Sequence, residues 1–317
     1  MRVAVLDDYA DAFGALPCAQ RLAGHEVVAF TDSVTGDALV QRLDGFDAVV
    51  LLQQRTALPR GVVERLATLR LVSQTGRNTS HLALDALAAK GIVVSAGGAG
   101  GPHATAELTW ALILAAQRRL PQEVAALRAG RWQSSVGIGL HARTLGVYGL
   151  GRIGGLVAEV GRAFGMQVVV WGRHGSLTRA TEAGYAAAAS REDFFGRSDV
   201  LAVHLPLNAD TAGIVTAADL ALMKPDALFV NTSRAGVVAP GALVAALEAG
   251  RPGRAAVDVF ETEPVLGAAD PLLALPTVTA TPHLGYVERD VIAALYDAAV
   301  DHVLAFADGA PVNVVSA

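Results

Sequence analysis

Cysteine is nearly absent from this 317-residue chain, with Cys18 the only one. That excludes a disulfide framework within the chain and any Cys-x-x-Cys metal or redox motif. Lysine is almost as scarce: Lys90 and Lys224 stand alone, and neither precedes Ser or Thr, so a P-loop is excluded. There is no basic block, and the net charge of -5 argues against a nucleic-acid partner. No apolar run reaches the length of a bilayer span, so a soluble chain without a membrane partner is expected. His-Glu-x-x-His and Gly-x-Ser-x-Gly are both missing. The eight histidines are scattered singly, so no metal site is expected. Met1–Asp8 reads as a strand ending in two carboxylates and not as a signal peptide; with so little cysteine, a reducing cytoplasm is expected.

What is present is apolar. Hydrophobic residues make up 52% and charged ones 17%, the balance of a globular chain, and the length allows two domains of ordinary size. In the first hundred residues, Arg2–Leu6, Glu26–Phe30, Ala48–Leu52, Leu69–Ser73 and Ile92–Ser95 are strand candidates. Amphipathic stretches such as Gly36–Leu43, Gly61–Ala67 and Leu82–Ala89 lie between them. Such alternation predicts parallel strands joined by crossover helices. Gly97-Gly98-Ala99-Gly100-Gly101-Pro102 interrupts the pattern and reads as a hinge. A long helix is predicted from about His103 to Ala129, broken or bent near Pro121, with Arg118, Arg119, Arg128 and Arg131 on a solvated face. A second alternating series follows: Thr144–Tyr148, Gln167–Trp171, Asp199–Leu205, Ala227–Asn231, Ala255–Phe260 and Val278–Ala280. Helices are predicted at Arg152–Phe164 and Pro240–Ala249. A final helix spans Val287–Ala307, with Val287, Val291, Leu295 and Ala299 on one stripe. His302 on that helix and His25 carry no partner signal.

The stretch Thr144–Gly154 combines a short apolar strand, glycines at 149, 151 and 154, and the start of a helix. The first glycine permits a tight turn, the second lets a pyrophosphate approach the backbone, and the third lets helix and strand pack closely. The helix N-terminus then presents free N–H groups and a positive dipole end to the phosphates. Three further segments each close a predicted strand: Asn231-Thr232-Ser233-Arg234, then Asp258 to Pro264, then Thr281-Pro282-His283-Leu284-Gly285. Strand ends on one edge of an open parallel sheet face the ligand crevice. Arg234, Glu263 and His283 are therefore expected to converge beside a bound dinucleotide.

With these motifs the chain resembles the D-isomer-specific 2-hydroxyacid dehydrogenases from about Asp47 onward. Ala106-Glu107-Leu108, Ser198-Asp199-Val200, His204-Leu205-Pro206-Leu207 and Met223-Lys224-Pro225 carry the resemblance as well. It implies an α/β fold of two Rossmann-like or flavodoxin-like domains with doubly wound parallel sheets. The implied domains are a discontinuous substrate domain, 1–100 and 284–317, and an inserted dinucleotide-binding domain, 101–283, whose long helix implies a homodimer. By the resemblance, His283 is the general acid, Glu263 orients it, and Arg234 binds the carboxylate or carbonyl of a small 2-keto or 2-hydroxy acid. The implied cofactor contacts are Gly149, Gly151, Arg152, Ile153, Gly154, Gly172, Arg173, His174, Leu205, Pro206, Thr211, Thr232, Ser233 and Asp258, the last on the nicotinamide carboxamide. Backbone N–H groups near Thr75 and Gly76 are implied to grip the substrate carboxylate, with Arg55 and Arg77 as further anion partners.

Several positions depart from the family pattern. The strand Gln167–Trp171 ends in Gly172-Arg173-His174, where NAD-binding members carry a carboxylate for the adenosine ribose. An arginine there suits a 2′-phosphate, so NADP(H) is expected to be preferred, with NAD(H) the alternative. Ala235 follows Arg234 where the family has Gly, and Tyr286 stands in the family's Gly-Gly-x-Thr segment. The chain ends soon after its last helix, which weighs against phosphoglycerate oxidation in favour of reduction of another 2-keto acid. The rival class is a nicotinamide-sensing, corepressor-like interaction protein, in which dinucleotide binding alters partner binding.

Overall fold

The computed structural model describes residues 1–98 and 100–316; Ala99, inside the expected hinge, and Ala317, the last residue of the expected substrate domain, lie outside the described residues. The chain divides into two units, Met1–Gly101 with Glu288–Ala317, and Pro102–Val287.

The first unit contains five strands, β1 (Arg2–Val5), β2 (Glu26–Ala29), β3 (Ala48–Leu51), β4 (Leu71–Thr75) and β5 (Val93–Gly97). All pair in parallel in the order β2-β1-β3-β4-β5, the flavodoxin-like winding. Every residue of β3 and β4 is buried, as expected of central parallel strands covered on both faces. The closing helix is Arg289–Ala307, with Val291, Leu295, Tyr296, Ala299 and His302 buried. The predicted stripe begins at Val287, but Glu288 is the N-cap: its carboxylate accepts the N–H groups of Asp290 and Val291, and the helix starts at Arg289. His302 also differs from expectation. Its Nδ1 lies 3.1 Å from Ser73 Oγ, and its Nε2 accepts from Asn313 Nδ2 at 3.2 Å. Burial lowers its pKa and keeps the ring neutral. Asn313 belongs to a tail that runs antiparallel to β5, with Ala96 N–H donating to the Asn313 carbonyl and Val315 N–H to that of Val94. The tail covers an edge that would otherwise present unpaired backbone groups.

The second unit holds seven strands, β6 (Thr144–Tyr148), β7 (Gln167–Trp171), β8 (Ala186–Ala187), β9 (Val200–Val203), β10 (Leu228–Asn231), β11 (Arg254–Val257) and β12 (Val278–Ala280). Their order is β12-β11-β10-β9-β6-β7-β8, all parallel. Period-two alternation fills both faces. Val147, Val170, Val200, Ala202 and Val230 pack on one side, and Tyr148, Val169, Leu201, Val203 and Phe229 on the other. The winding reverses between β6 and β9, the switch point where doubly wound sheets bind ligands. The long helix is two helices, His103–Arg118 and Leu120–Arg128, and the break falls at Arg119, a left-handed residue with φ 52°. Pro121 sits in the first turn of the second helix, where its missing N–H leaves no hydrogen bond unmade, so the break falls where the proline is tolerated, as expected near Pro121.

Candidate active site at the carboxyl ends of the second sheet

Gly149 leaves β6 with φ 94°, and a Cβ there would lie 2.8 Å from the His204 carbonyl oxygen. A Cβ on Gly154 would lie 2.2 Å from the Gly149 carbonyl oxygen. Both glycines are demanded by the fold of the turn itself. Gly151 is different: an added Cβ would meet nothing within 4 Å, and its backbone is extended as it caps the helix Arg152–Ala163. Two glycines thus build the turn, and the third leaves open space at a helix N-terminus whose first peptide N–H groups, from Arg152 and Ile153 onward, have no carbonyl partner within the helix. This arrangement fits a pyrophosphate.

Ser176 and Arg179 brace the turn. Ser176 Oγ accepts the Leu150 N–H at 3.3 Å, and Arg179 Nε donates to the Leu150 carbonyl at 2.6 Å. Neither stood out in the sequence, since a serine and an arginine three apart on a helix are common. Beside them, a Cβ on Gly172 would lie 3.0 Å from that of Ser176. Arg173 caps the helix His174–Glu182 and, like His174, is exposed. Its Nη1 lies 3.8 Å from Asp210 Oδ2. Leu205 is half-buried and Pro206 exposed after β9, and Thr211 donates to the Pro206 carbonyl at 2.5 Å. His204, on the other flank of Gly149, is buried deeply enough to push its pKa down to about 4, and its Nε2 finds no partner among the described residues.

After β10, Asn231 ties down the turn that carries Arg234. Its Oδ1 accepts Ser233 N–H at 3.0 Å and Ser233 Oγ at 2.8 Å, while its Nδ2 donates to the Arg234 carbonyl at 3.0 Å. Thr232 is buried, with Oγ1 2.7 Å from Thr109 Oγ1. Arg234 Nη1 donates to the Ser233 carbonyl at 2.7 Å.

Glu263 and His283 meet directly, with Oε2 2.6 Å from Nδ1, and Glu263 Oε1 accepts the Phe260 N–H at 2.9 Å. Burial alone would raise the Glu263 pKa. The His283 hydrogen bond and charge, the Phe260 N–H and the Arg234 charge together outweigh it and hold the carboxyl below its usual value. Arg234 is therefore part of the same electrostatic cluster. His283 itself has φ 53°, a left-handed backbone. The loop is held by Asp258, which is fully buried: Oδ1 accepts Thr281 Oγ1 at 2.6 Å and Leu284 N–H at 2.7 Å, and Oδ2 accepts Gly285 N–H at 2.8 Å. The ring of Tyr286 stands edge-on to His283, with centroids 5.6 Å apart.

In the first unit, Arg55 donates to the Asp7 carbonyl at 2.6 Å and stacks 4.5 Å over the Tyr9 ring. Thr75 is buried, its hydroxyl accepting the Gln53 N–H at 2.8 Å, and Arg77 is exposed. Gly76 corrects one expectation: its N–H donates to the Gly97 carbonyl at 2.6 Å, extending the β4–β5 ladder, so it is not available to a carboxylate. Among the described residues, no group of three or more His, Cys, Asp or Glu is disposed to hold a metal ion, and no helix is long and apolar enough to cross a membrane.

A parallel sheet with a glycine turn at its switch point, and an acid–imidazole pair on the same sheet edge, define a dinucleotide-binding oxidoreductase. The sequence profile of the D-isomer specific 2-hydroxyacid dehydrogenase NAD binding domain matches residues 110–285. The chain belongs to that family. It is 38% identical over 258 residues to glyoxylate reductase of Aeropyrum pernix, covering 78% of this chain and 76% of that one. It is 34% identical over 260 residues to D-3-phosphoglycerate dehydrogenase of Methanocaldococcus jannaschii, covering 81% of this chain but only 49% of that one. The chain thus spans about half the length of the phosphoglycerate dehydrogenases it matches. The crystal structure of a phosphoglycerate oxidoreductase from Vibrio cholerae O395 is similar throughout, with TM-score 0.94 and 46% identity over 98% of this chain and all of that one.

Proposed function

We propose that this chain reduces a 2-keto acid to the D-2-hydroxy acid, reversibly, with NADP(H) preferred over NAD(H). The observation that carries the reading is the 2.6 Å hydrogen bond between Glu263 and His283. The ionised Glu263 receives Nδ1–H and leaves Nε2 as the atom that gives the proton to the carbonyl oxygen or takes it from the hydroxyl. Arg234 offers a planar fork of donors for the substrate carboxylate or carbonyl. The nicotinamide supplies the hydride when bound. The residues that would hold it are the Gly149–Gly154 turn with the Arg152 and Ile153 N–H groups, the Leu205–Pro206 and Thr211 loop, Thr232 and Ser233, Asp258, and Gly172-Arg173-His174 toward the 2′-phosphate. On this reading Pro102–Val287 is the cofactor unit and the remainder the substrate unit, where Thr75, Arg55 and Arg77 stand at strand ends. The glyoxylate reductase and phosphoglycerate dehydrogenase names of the relatives set the substrates to try first.

The test is loss of nicotinamide absorbance with a panel of glyoxylate, hydroxypyruvate, phenylpyruvate, branched 2-keto acids and, in reverse, phosphoglycerate. His283→Ala should lower turnover by about a hundredfold or more. No turnover with any of these, together with cofactor-dependent capture of a partner, would favour the corepressor-like alternative.

We also propose a cytoplasmic homodimer. Leu120, Val124 and Leu127 are exposed at 48%, 46% and 57% and lie at i, i+4 and i+7 on one helix, followed by Trp132 at 78%. An apolar stripe of that spacing fits a second copy of the helix. Val124→Glu should yield monomers in light scattering.

A further inference from the structure

β6 lies between β7 and β9, so the loops leaving β7 and β9 flank the glycine turn from opposite sides. Arg173 comes from the first loop and Asp210 from the second, and the two meet at 3.8 Å, each side chain 78% exposed. The Asp210 loop is internally fastened. Asp210 N–H donates to Asn208 Oδ1 at 3.0 Å, and Thr211 Oγ1 accepts Asn208 N–H at 2.9 Å while donating to the Pro206 carbonyl. Its carboxylate is thereby presented from a constrained backbone and not from a free loop. At the end of β7 itself no carboxylate is available, since position 172 is glycine and position 173 is the arginine.

We propose that Asp210 is a specificity-determining residue for the cofactor: a counter-charge that competes with the 2′-phosphate for Arg173 and so limits the preference for NADP(H). The inference rests on the reading of Arg173 as the 2′-phosphate partner. A 2′-phosphate that reaches the guanidinium displaces the Asp210 carboxylate and then lies beside it, two anions sharing one cation. NAD(H) brings ribose hydroxyls to the same place, and these meet no such repulsion. Because the pair is exposed, the effect is modest and is screened by salt.

The test is fluorescence titration of the whole protein with NADPH, NADH, 2′,5′-ADP and 5′-AMP, at low and at high salt. Asp210→Asn should tighten NADPH and 2′,5′-ADP by about two- to fivefold at low salt, and leave NADH and 5′-AMP unchanged. Asp210→Lys should enlarge the gain, and high salt should erase it. Arg173→Ala should weaken the 2′-phosphate ligands selectively. If it weakens NADPH and NADH alike, the Arg173 reading fails and the Asp210 role falls with it. If Arg173→Ala is selective but Asp210→Asn leaves NADPH unchanged, or tightens NADH equally, the role of Asp210 alone is overturned.

Discussion

Two glycines of one turn should respond differently to the same methyl group. In Gly154→Ala the new Cβ would sit 2.2 Å from the Gly149 carbonyl oxygen, so about 1 Å of movement is needed to restore ordinary contact. Gly149 cannot yield freely, because its own N–H is bound to the Trp171 carbonyl at 2.8 Å. Overpacking of this kind costs about 1–3 kcal/mol, and the better helix propensity of alanine returns up to about 1 kcal/mol. A net loss of about 1–2 kcal/mol is expected. In Gly151→Ala the methyl meets nothing within 4 Å, and the extended backbone suits any residue. Only the weaker capping by alanine opposes it, at a cost of about 1 kcal/mol or less. Yet that methyl enters the space proposed for the pyrophosphate, so Gly151→Ala should lose at least about tenfold in NADPH affinity.

Urea unfolding of the cofactor-free protein separates the two cases. All three tryptophans, Trp110, Trp132 and Trp171, lie in Pro102–Val287, so their fluorescence reports on the second unit alone. Gly154→Ala should shift the midpoint clearly below wild type, with Gly151→Ala close to it. The reasoning is refuted if the two variants are equally stable, or if Gly151→Ala binds NADPH as wild type does.

Three further outcomes are expected. Glu263→Gln keeps the size of the side chain but removes the charge that steadies a protonated imidazole, so kcat should fall about ten- to a hundredfold with KM for the keto acid little changed; an unaltered kcat would remove the orienting role. His204 and His81 are held neutral by burial, with pKa values lowered to about 4. The unfolded chain takes up these protons near the ordinary value of about 6.5, so stability should decline as pH falls from there toward about 4 and level off below it. His204 contributes at most about 3 kcal/mol to that decline, and denaturant titrations of His204→Gln should show a shallower pH dependence. Asp258→Asn puts an amide donor against one of the N–H or O–H groups that Asp258 accepts, so the apo-protein should lose about 1–3 kcal/mol in urea unfolding; equal stability would mean that the carboxylate does not hold the His283 loop.

Much of the second sheet was legible because its strands are runs of Val, Leu and Ala bounded by glycine or polar residues; β6, β7 and β12 occupy the stretches the sequence predicts. β8 is two alanines beyond a helix and has no hydrophobic run of its own. The helix break near Pro121 was legible because a proline cannot sit in a helix interior; that it falls at Arg119, in the left-handed conformation, places Pro121 in the first turn of the next helix. At the site, Arg234, Glu263 and His283 could be grouped because each lies just beyond a consecutive strand. Asp210 could not be grouped with Arg173, since 37 positions separate them and only the strand order brings β7 and β9 to either side of β6. The Gly76 N–H was illegible for a related reason: whether a backbone N–H is engaged depends on where a ladder ends, and the β4–β5 hydrogen bonding runs one residue past Thr75, to Gly76.

The backbone at His283 links these observations. A left-handed residue other than glycine carries roughly 1 kcal/mol or more of conformational cost and persists only when its surroundings fix it. Here they do. Asp258 accepts three hydrogen bonds from Thr281, Leu284 and Gly285, on both sides of His283, and Glu263 binds the ring. Relaxing His283 would leave two peptide N–H groups, a hydroxyl and a buried carboxylate without partners, each worth about 1–3 kcal/mol or more. The strain is therefore smaller than what holds it. The consequence is an imidazole whose position is set from the backbone by one acid and from the ring by another. Two carboxylates from the one segment that leaves β11 divide the work: Asp258 fixes the loop that carries His283, and Glu263 fixes its ring through Nδ1.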